Sequence, residues 1–311
     1  MSAFLFDRQK LPQLKDKVVV LTGRSTYQLL RNRNFTNIPT GGANGIGAET
    51  VKLLSSHGAK VVFGDIAKEQ GMTLANSLSP NVCFVETDVT SYLSVLQLFQ
   101  KAFELYQRVD IAVSNAGLGE KPEWFEPSMN LVSVQKEPNT VTLDVNLRGS
   151  LFFARVATVY LRQNAAREDN KSLILLSSVA GFEESPGIFV YQAAKHGIIG
   201  LMRSLRKYSS TVYDEANIRV NCVCPWATKT AMIQEFQTAW EKEGLPLNTC
   251  LDVAEVVAAI ALEGNLNGES VYVEGGNSWL FEENLQRLQP QWLGESAFQN
   301  LMKGQAYLAT V

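Results

Sequence analysis

Tyr191, Lys195 and Ser178 are the residues whose types and spacing point most directly to chemistry. Lys195 follows the tyrosine by four positions and Ser178 precedes it by thirteen. On a helix, residues four apart lie on one face, one turn above the other. The Lys195 ammonium then stands beside the Tyr191 phenol. A free tyrosine ionises near pH ~10, too high for a base at neutral pH. A fixed cation favours the phenolate and brings that value down. Such a pair can take a proton from an alcohol or return one to a ketone. A serine at the end of a buried strand could hydrogen-bond the same substrate oxygen. Tyrosine and lysine four apart are also ordinary surface neighbours, so the elements around them must decide.

Seven apolar runs read as strands: 17–22, 59–65, 81–85, 109–113, 172–177, 217–223 and 269–273. The first, Lys17-Val18-Val19-Val20-Leu21-Thr22, is continuous and β-branched, as in a parallel strand buried on both faces. Helical patterns separate the strands. One starts at Gly45, with Ile46, Thr50, Val51, Leu53 and Leu54 at helical spacing, and stops at His57-Gly58. A second starts at Thr90 or Ser91, with a stripe of Leu93, Leu96, Phe99, Phe103 and Tyr106. A third covers 145–162, apolar on more than one side. Asp252 with Glu255 reads as a capping box for a helix through Leu262. Residues 118–142 form a long loop and 231–248 a partly helical lid. The tail after 281 is amphipathic at first, then irregular. Alternating strand and helix imply a parallel sheet with helices on both faces. Ligands bind such sheets at the carboxyl ends of the strands, where the strand order reverses.

The polar singletons fall at those ends. Asp65 closes the second strand about twenty residues after a glycine-rich turn, where an acid binds both ribose hydroxyls of an adenosine. It would repel a 2′-phosphate, which favours NAD over NADP, and Asn44 is neutral where a base would suit NADP. A strand-end cap is the plainer reading of Asp65. Asp88 either accepts from an adenine amino group or caps the next helix. Ser114-Asn115-Ala116-Gly117 ends a strand in small residues that let backbone approach a cofactor.

The glycine turn itself is interrupted. Thr22-Gly23 is followed by a polar stretch with no clean period, and only then by Thr40-Gly41-Gly42-Ala43-Asn44-Gly45-Ile46-Gly47. Removing 24–41, or 22–39, restores an unbroken turn. The insert at 24–40 is either a surface loop or translated non-coding sequence, with the second favoured, and is expected to be poorly ordered. Either Thr40-Gly41 or Thr22-Gly23 supplies the turn. Gly41 is preferred because it keeps its spacing to Gly45 and Gly47.

The 311 residues are 46% hydrophobic and 19% charged, enough for a large core, with a net charge of −3. No basic footprint argues for nucleic acid or an acidic membrane. Cys83, Cys222, Cys224 and Cys250 follow no zinc or redox spacing and read as reduced thiols, the second and third on one strand face. With only His57 and His196, a histidine-rich metal site is excluded. No apolar run reaches membrane-spanning length. A soluble, cytoplasmic protein is expected, with its short N-terminal apolar patch leaning on a partner or on the domain itself.

Over about residues 15–278 the chain resembles the short-chain dehydrogenase/reductase family. The resemblance rests on Thr40-Gly41, Gly45-Ile46-Gly47, Asn115-Ala116-Gly117, Asn146, Ser178, Tyr191 with Lys195, and Pro225 with Thr228 and Thr230. Tyr191–Gly197 and Leu288–Gly294 look most like NAD-dependent 15-hydroxyprostaglandin-dehydrogenase-like members, especially fungal ones. The resemblance implies one doubly wound Rossmann-type α/β domain with a seven-stranded, mostly parallel sheet, followed by a C-terminal extension at 279–311. It implies that Tyr191 is the acid/base and that Lys195 lowers its pKa and holds the nicotinamide ribose. Ser178 then positions the substrate oxygen and Asn146 holds a water in a proton relay. Gly41, Gly45, Ile46 and Gly47 form the diphosphate turn at a helix N-terminus. Asp65, Asp88 and Asn115 line the adenosine side, Thr228 lies near the carboxamide, and Arg148 stands in the cofactor's surroundings.

Ser177 is the rival to Ser178. Alternation puts the two on opposite strand faces, and the thirteen-residue spacing selects Ser178. Trp226 departs from the glycine usual after Pro225, so the cofactor-side turn or the pocket roof is expected to differ. The expected activity is hydride transfer between NAD(H) and a secondary alcohol or ketone. Met232, Ile233, Phe236, Trp240, Ile188 and Phe189 suggest a lipophilic substrate. The alternatives are a non-catalytic dinucleotide-binding protein, or a form inactivated by the insert. Members of the family associate as dimers or tetramers through two helices, here about 145–162 and 190–208.

Overall fold

The structure is a computed structural model that describes residues 2–23, 45–78, 80–121, 124–166, 169–211 and 217–308. The insert at 24–40, Gly41 and Asn44 lie outside these residues. The first half of the chain contributes β1 (Ser2–Ala3), β2 (Val18–Thr22), α1 (Gly45–Ser56), β3 (Lys60–Asp65), α2 (Lys68–Ser77), β4 (Val82–Glu86), α3 (Tyr92–Tyr106) and β5 (Ile111–Ser114). After the loop come α4 (Val141–Leu143), a π turn (Asp144–Arg148), α5 (Gly149–Tyr160), β6 (Lys171–Leu176), α6 (Phe189–Thr211) and β7 (Ile218–Pro225). The last part holds α7 (Gln234–Lys242), α8 (Cys250–Leu262), β8 (Ser270–Glu274), β9 (Asn277–Leu280), α9 (Glu282–Leu293) and α10 (Glu295–Leu308).

The strands form one sheet in the order β1-β9-β8-β7-β6-β5-β2-β3-β4. The seven strands expected from sequence, β2 to β8, pair in parallel throughout. Two short antiparallel strands, β9 and β1, extend the edge beyond β8. Ser2 and Ala3 are too short a run for periodicity to reveal. They pair because Phe4 and Phe6 pack onto the core and the Phe4 N–H donates to Ser278 O at 2.8 Å. The N-terminal apolar patch therefore leans on the domain itself.

Apolar residues on the two sides of the sheet form two core clusters. One holds Val20, Phe99, Phe153, Leu173, Ile198 and Val220, beneath α3, α5 and α6. The other holds Leu21, Val51, Phe63, Ile174, Val257 and Val271, beneath α1 and α8. At the carboxyl-end switch, β2 lies between β3 and β5. Asp110 anchors the opposite ends of the strands. It accepts from Val18 N–H and from buried Lys171 Nζ at 2.7 Å. Burial alone would raise the Asp110 carboxyl. Hydrogen bonds from Arg108, Lys171 and Val18 nevertheless hold it below the usual range.

Four local expectations need correction. The core face of α3 is Val95, Leu98, Phe99 and Ala102 rather than the stripe through Leu93, which is exposed. Large Leu98 and Phe99 and smaller Val95 and Ala102 are all fully buried on this face. The capping box of α8 is Thr249 with Asp252, so Asp252 is the third helical residue and not the cap. Glu255 instead pairs with Arg8. The helix expected from 145 starts at Val141 and passes through the π turn. The tail after 293 is a second helix, α10, although none of its side chains is buried.

Candidate active site

Tyr191 and Lys195 lie on α6, whose first turn faces the carboxyl ends of β5 and β6. The Lys195 ammonium sits 5.5 Å from the centre of the Tyr191 ring. It also donates to Leu176 O at 2.9 Å, where β6 ends. In return, Ser177 Oγ donates to Lys195 O at 2.9 Å. Two hydrogen bonds running in opposite directions thus stitch the helix to the strand. Ser177 is committed to this stitch and packs on Gly181, where a Cβ would come within 2.4 Å of its Oγ. Ser178 is the next residue, in extended conformation. Its Oγ accepts from Ala180 N–H at 3.2 Å, which leaves the hydroxyl proton for another acceptor. The structure therefore separates the two serines as alternation predicts.

Asn146 occupies the middle of the π turn and is fully buried. A π turn inside an α-helix costs stability and is frequent at functional sites. Here it turns Asn146 toward the loop after β5. Asn146 Oδ1 accepts from Leu118 N–H at 2.7 Å and Nδ2 donates to Leu118 O at 2.8 Å. Ser150 Oγ donates to Asn146 O, and Ser114 Oγ donates to Ser150 Oγ. This chain of bonds ties the end of β5 to the helix. A Cβ on Gly117 would stand 3.4 Å from Asn146 Oδ1 and 3.6 Å from Lys195 Nζ, so these three residues meet. Thr22 Oγ1 accepts from the N–H groups of Asn115 and Ala116, which bends the chain toward β2.

On the other side of the switch, Gly45 opens α1 at φ +68°, where a side chain would be strained. Its absent Cβ faces Thr230 Cγ2 at 3.5 Å, so the loop after β7 rests against the start of α1. Ile46 and Gly47 follow in the first turn, Gly47 buried. Asp65 is buried at the end of β3, and its Oδ1 accepts from Ala67 N–H at 2.8 Å. Asp88 Oδ1 accepts from the N–H and the hydroxyl of Thr90, a turn just before α3, whose cap is Ser91 and not Asp88. Arg148 is half-exposed; its contacts run along its own helix, to Asp144 at 3.2 Å and over the Phe152 ring. Thr228 is buried, with Oγ1 donating to Trp226 O.

Trp226 joins an aromatic cluster with the lid. Its ring packs on Trp240 of α7 and on Tyr272 of β8, each at 6.0 Å, and Phe236 continues the cluster from Trp240. Met232, in the short turn before α7, lies against Gly119, so the lid meets the loop after β5. Two participants were not foreseen. Fully buried Asn248 accepts from Gly276 N–H and donates to Val273 O and Thr228 Oγ1, holding the Thr228 turn. A lone asparagine between lid and helix gives no sequence signal. Glu120, in the loop after β5, accepts from Tyr191 N–H at 2.7 Å. Cys224, beside Ser177 and Ser178, is pushed by burial up to about 12, so its thiol stays protonated.

A doubly wound parallel sheet with a polar cluster over its switch point is the α/β architecture that binds ligands at the carboxyl ends of its strands. Residues 37–241 match the family model described as short chain dehydrogenase. A short-chain dehydrogenase/reductase of Penicillium rubens, prx4, is 28% identical over 94% of this chain and 85% of its own length. (+)-Borneol dehydrogenase 1 of Salvia officinalis is 32% identical over 78% of this chain and 92% of its own. The crystal structure of 3-ketoacyl-(acyl-carrier-protein) reductase from Brucella melitensis, complexed with NADH, superposes with a TM-score of 0.68. It is 22% identical and covers 85% of this chain and 98% of that one. The chain belongs to the short-chain dehydrogenase family and is an oxidoreductase. Among the described residues, no helix is long and apolar enough to cross a membrane.

Proposed function

We propose that the protein transfers a hydride between NAD(H) and a lipophilic secondary alcohol or ketone. The observation that carries this reading is the Lys195 ammonium, pinned by Leu176 O and 5.5 Å from the Tyr191 ring. A cation fixed there favours the phenolate. Tyr191 then takes the proton from the alcohol oxygen, or returns it to the ketone oxygen, and the Ser178 hydroxyl donates to that same oxygen. Asn146 has both ends of its side chain committed to Leu118. That favours a positional role, holding Gly117 and Leu118 beside Lys195, over direct contact with a relay water.

The cofactor's fit rests on two features. Gly117 presents bare backbone against Lys195 Nζ, and the N-terminus of α1 opens at Gly45 beside Thr230. Gly41, Gly45, Ile46 and Gly47 would hold the diphosphate and Asp65 the adenosine ribose. Asp88 and Asn115 would line the adenine side, Lys195 the nicotinamide ribose and Thr228 the carboxamide. When bound, the nicotinamide supplies the carbon that accepts or gives the hydride. Asp65 at the end of β3 supports NAD over NADP, since a carboxylate repels a 2′-phosphate. Arg148, paired with Asp144, is the weakest member of the set. The subgroup proposed is the 15-hydroxyprostaglandin-dehydrogenase-like one.

Exposed Phe125 and Phe189, which pack on each other, and exposed Phe236 in the lid support a lipophilic substrate. Association as a dimer or tetramer through α5 and α6 accords with exposed Leu151 and Val159 on α5. The free cysteines suit a reducing, cytoplasmic setting.

The test incubates the protein with NAD and a panel of lipophilic secondary alcohols, and separately with NADH and the matching ketones. Change in NADH absorbance on at least one pair supports the reading. NADH binding with no turnover on any pair favours the non-catalytic alternative.

A further inference from the structure

The start of α6 has an unusual partner. The first amide bonded back within the helix turn is that of Gln192, to Ile188 O at 2.8 Å. The Tyr191 N–H belongs to the orphan donors that every helix start must satisfy elsewhere. Local sequence offers no cap, because Pro186, Gly187 and Ile188 carry no side-chain acceptor. The acceptor comes from 71 positions earlier: Glu120 Oε2 takes the Tyr191 N–H at 2.7 Å. The other oxygen, Oε1, is buried and has no partner among the described residues. A surface acid would keep both oxygens in water, since an unpaired buried carboxylate oxygen is costly. Glu120 is therefore a placed group. Its loop is fixed just before it, Leu118 by Asn146 and Gly119 O by Thr142 Oγ1, and Gly119 lies against lid residue Met232.

We propose that Glu120 is a positioning residue, capping α6 from the loop after β5 so that Tyr191 is held at a fixed height over the strand ends. The inference rests on the reading of Tyr191 as the group that moves the proton. A carboxylate suits the place twice, because its bond to an amide is charge-assisted and because anions favour helix N-termini. The same loop carries Gly117 against Lys195 Nζ. One short segment thus sets the tyrosine from its backbone side and lies against the lysine. A shift of the lid at Met232 would reach Tyr191 through Gly119 and Glu120.

The experiment compares wild type, E120A, E120Q and Y191F by hydrogen exchange of the segment 188–193. It also measures NADH affinity, and kcat and KM with the alcohol that turns over best in the panel above. Loss of a cap accelerates exchange of the Tyr191 amide about tenfold in E120A. With the tyrosine displaced, kcat falls about tenfold or more while NADH affinity stays within about twofold. E120Q keeps an acceptor oxygen and recovers most of the protection. Unchanged exchange in E120A overturns the cap. Faster exchange with unchanged kcat, when Y191F is inactive, overturns the positioning role. If Y191F itself turns over at the wild-type rate, the reading of Tyr191 fails, and the exchange data still judge the cap. Should E120A not fold, E120D, one methylene shorter, carries the same comparison.

Discussion

Asn146→Ala offers the sharpest reading of how the site is held. The substitution removes one acceptor and one donor together. The N–H and C=O of Leu118, a residue only 7% exposed, lose their partners. Each orphaned buried group costs about 1–3 kcal/mol. Local opening toward water relieves part of this, so a total loss near 3 kcal/mol is expected. For a chain of 311 residues, that loss lowers Tm by about 5 °C. Equilibrium urea unfolding gives the free energy and calorimetry gives Tm. Asn146→Asp keeps an acceptor for the Leu118 N–H but sets a carboxylate oxygen against Leu118 O, so it rescues nothing. In Asn146→Ala the Leu118 amide exchanges faster, because its acceptor is gone. If Asn146→Ala stays within about 0.5 kcal/mol of wild type with Leu118 still protected, the clamp is not what holds the loop beside Lys195.

Two further outcomes are expected. Glu269 is raised by burial, with the Glu282 charge opposing its ionisation as well, from 4.5 to about 7. With the folded value above the unfolded one, its contribution to stability is full below pH 4.5 and is lost as pH rises toward 7. Glu269→Gln should therefore flatten the stability curve across that window and gain about 1–2 kcal/mol at pH 8, read by urea unfolding across pH. A variant whose curve overlays wild type would deny the shift. Asp65→Ser removes the charge that opposes a 2′-phosphate and should narrow the NADH-over-NADPH preference at least about tenfold, measured by fluorescence titration. An unaltered ratio would move cofactor selection elsewhere.

The alternation of strands and helices was legible because seven apolar runs are long and β-branched. The polar residues at their carboxyl ends were legible because each is isolated among apolar neighbours, as Asp65 is after Val61-Val62-Phe63. Alternation also separated Ser177 from Ser178, whose hydroxyls make different contacts. What escaped was set by contacts distant in sequence. Glu120 meets Tyr191 across 71 positions, and Asn248 meets Val273 across 25. No local period records either. The α3 stripe was misread because Leu93, an apolar residue at helical spacing, is exposed, while the core face runs through Val95, Leu98, Phe99 and Ala102. The true cap of α8 was missed because Asp252 and Thr249 both have capping side chains, and only backbone geometry chooses between them.

The central claim is that the Tyr191 phenol, under the Lys195 charge, moves the proton that accompanies hydride transfer. Tyr191→Phe keeps the ring and removes only the hydroxyl. With the best alcohol of the panel and NAD, kcat should fall about 10²–10⁴-fold, while fluorescence titration finds NADH affinity within about twofold of wild type. A Tyr191→Phe protein that turns over at the wild-type rate would contradict the account.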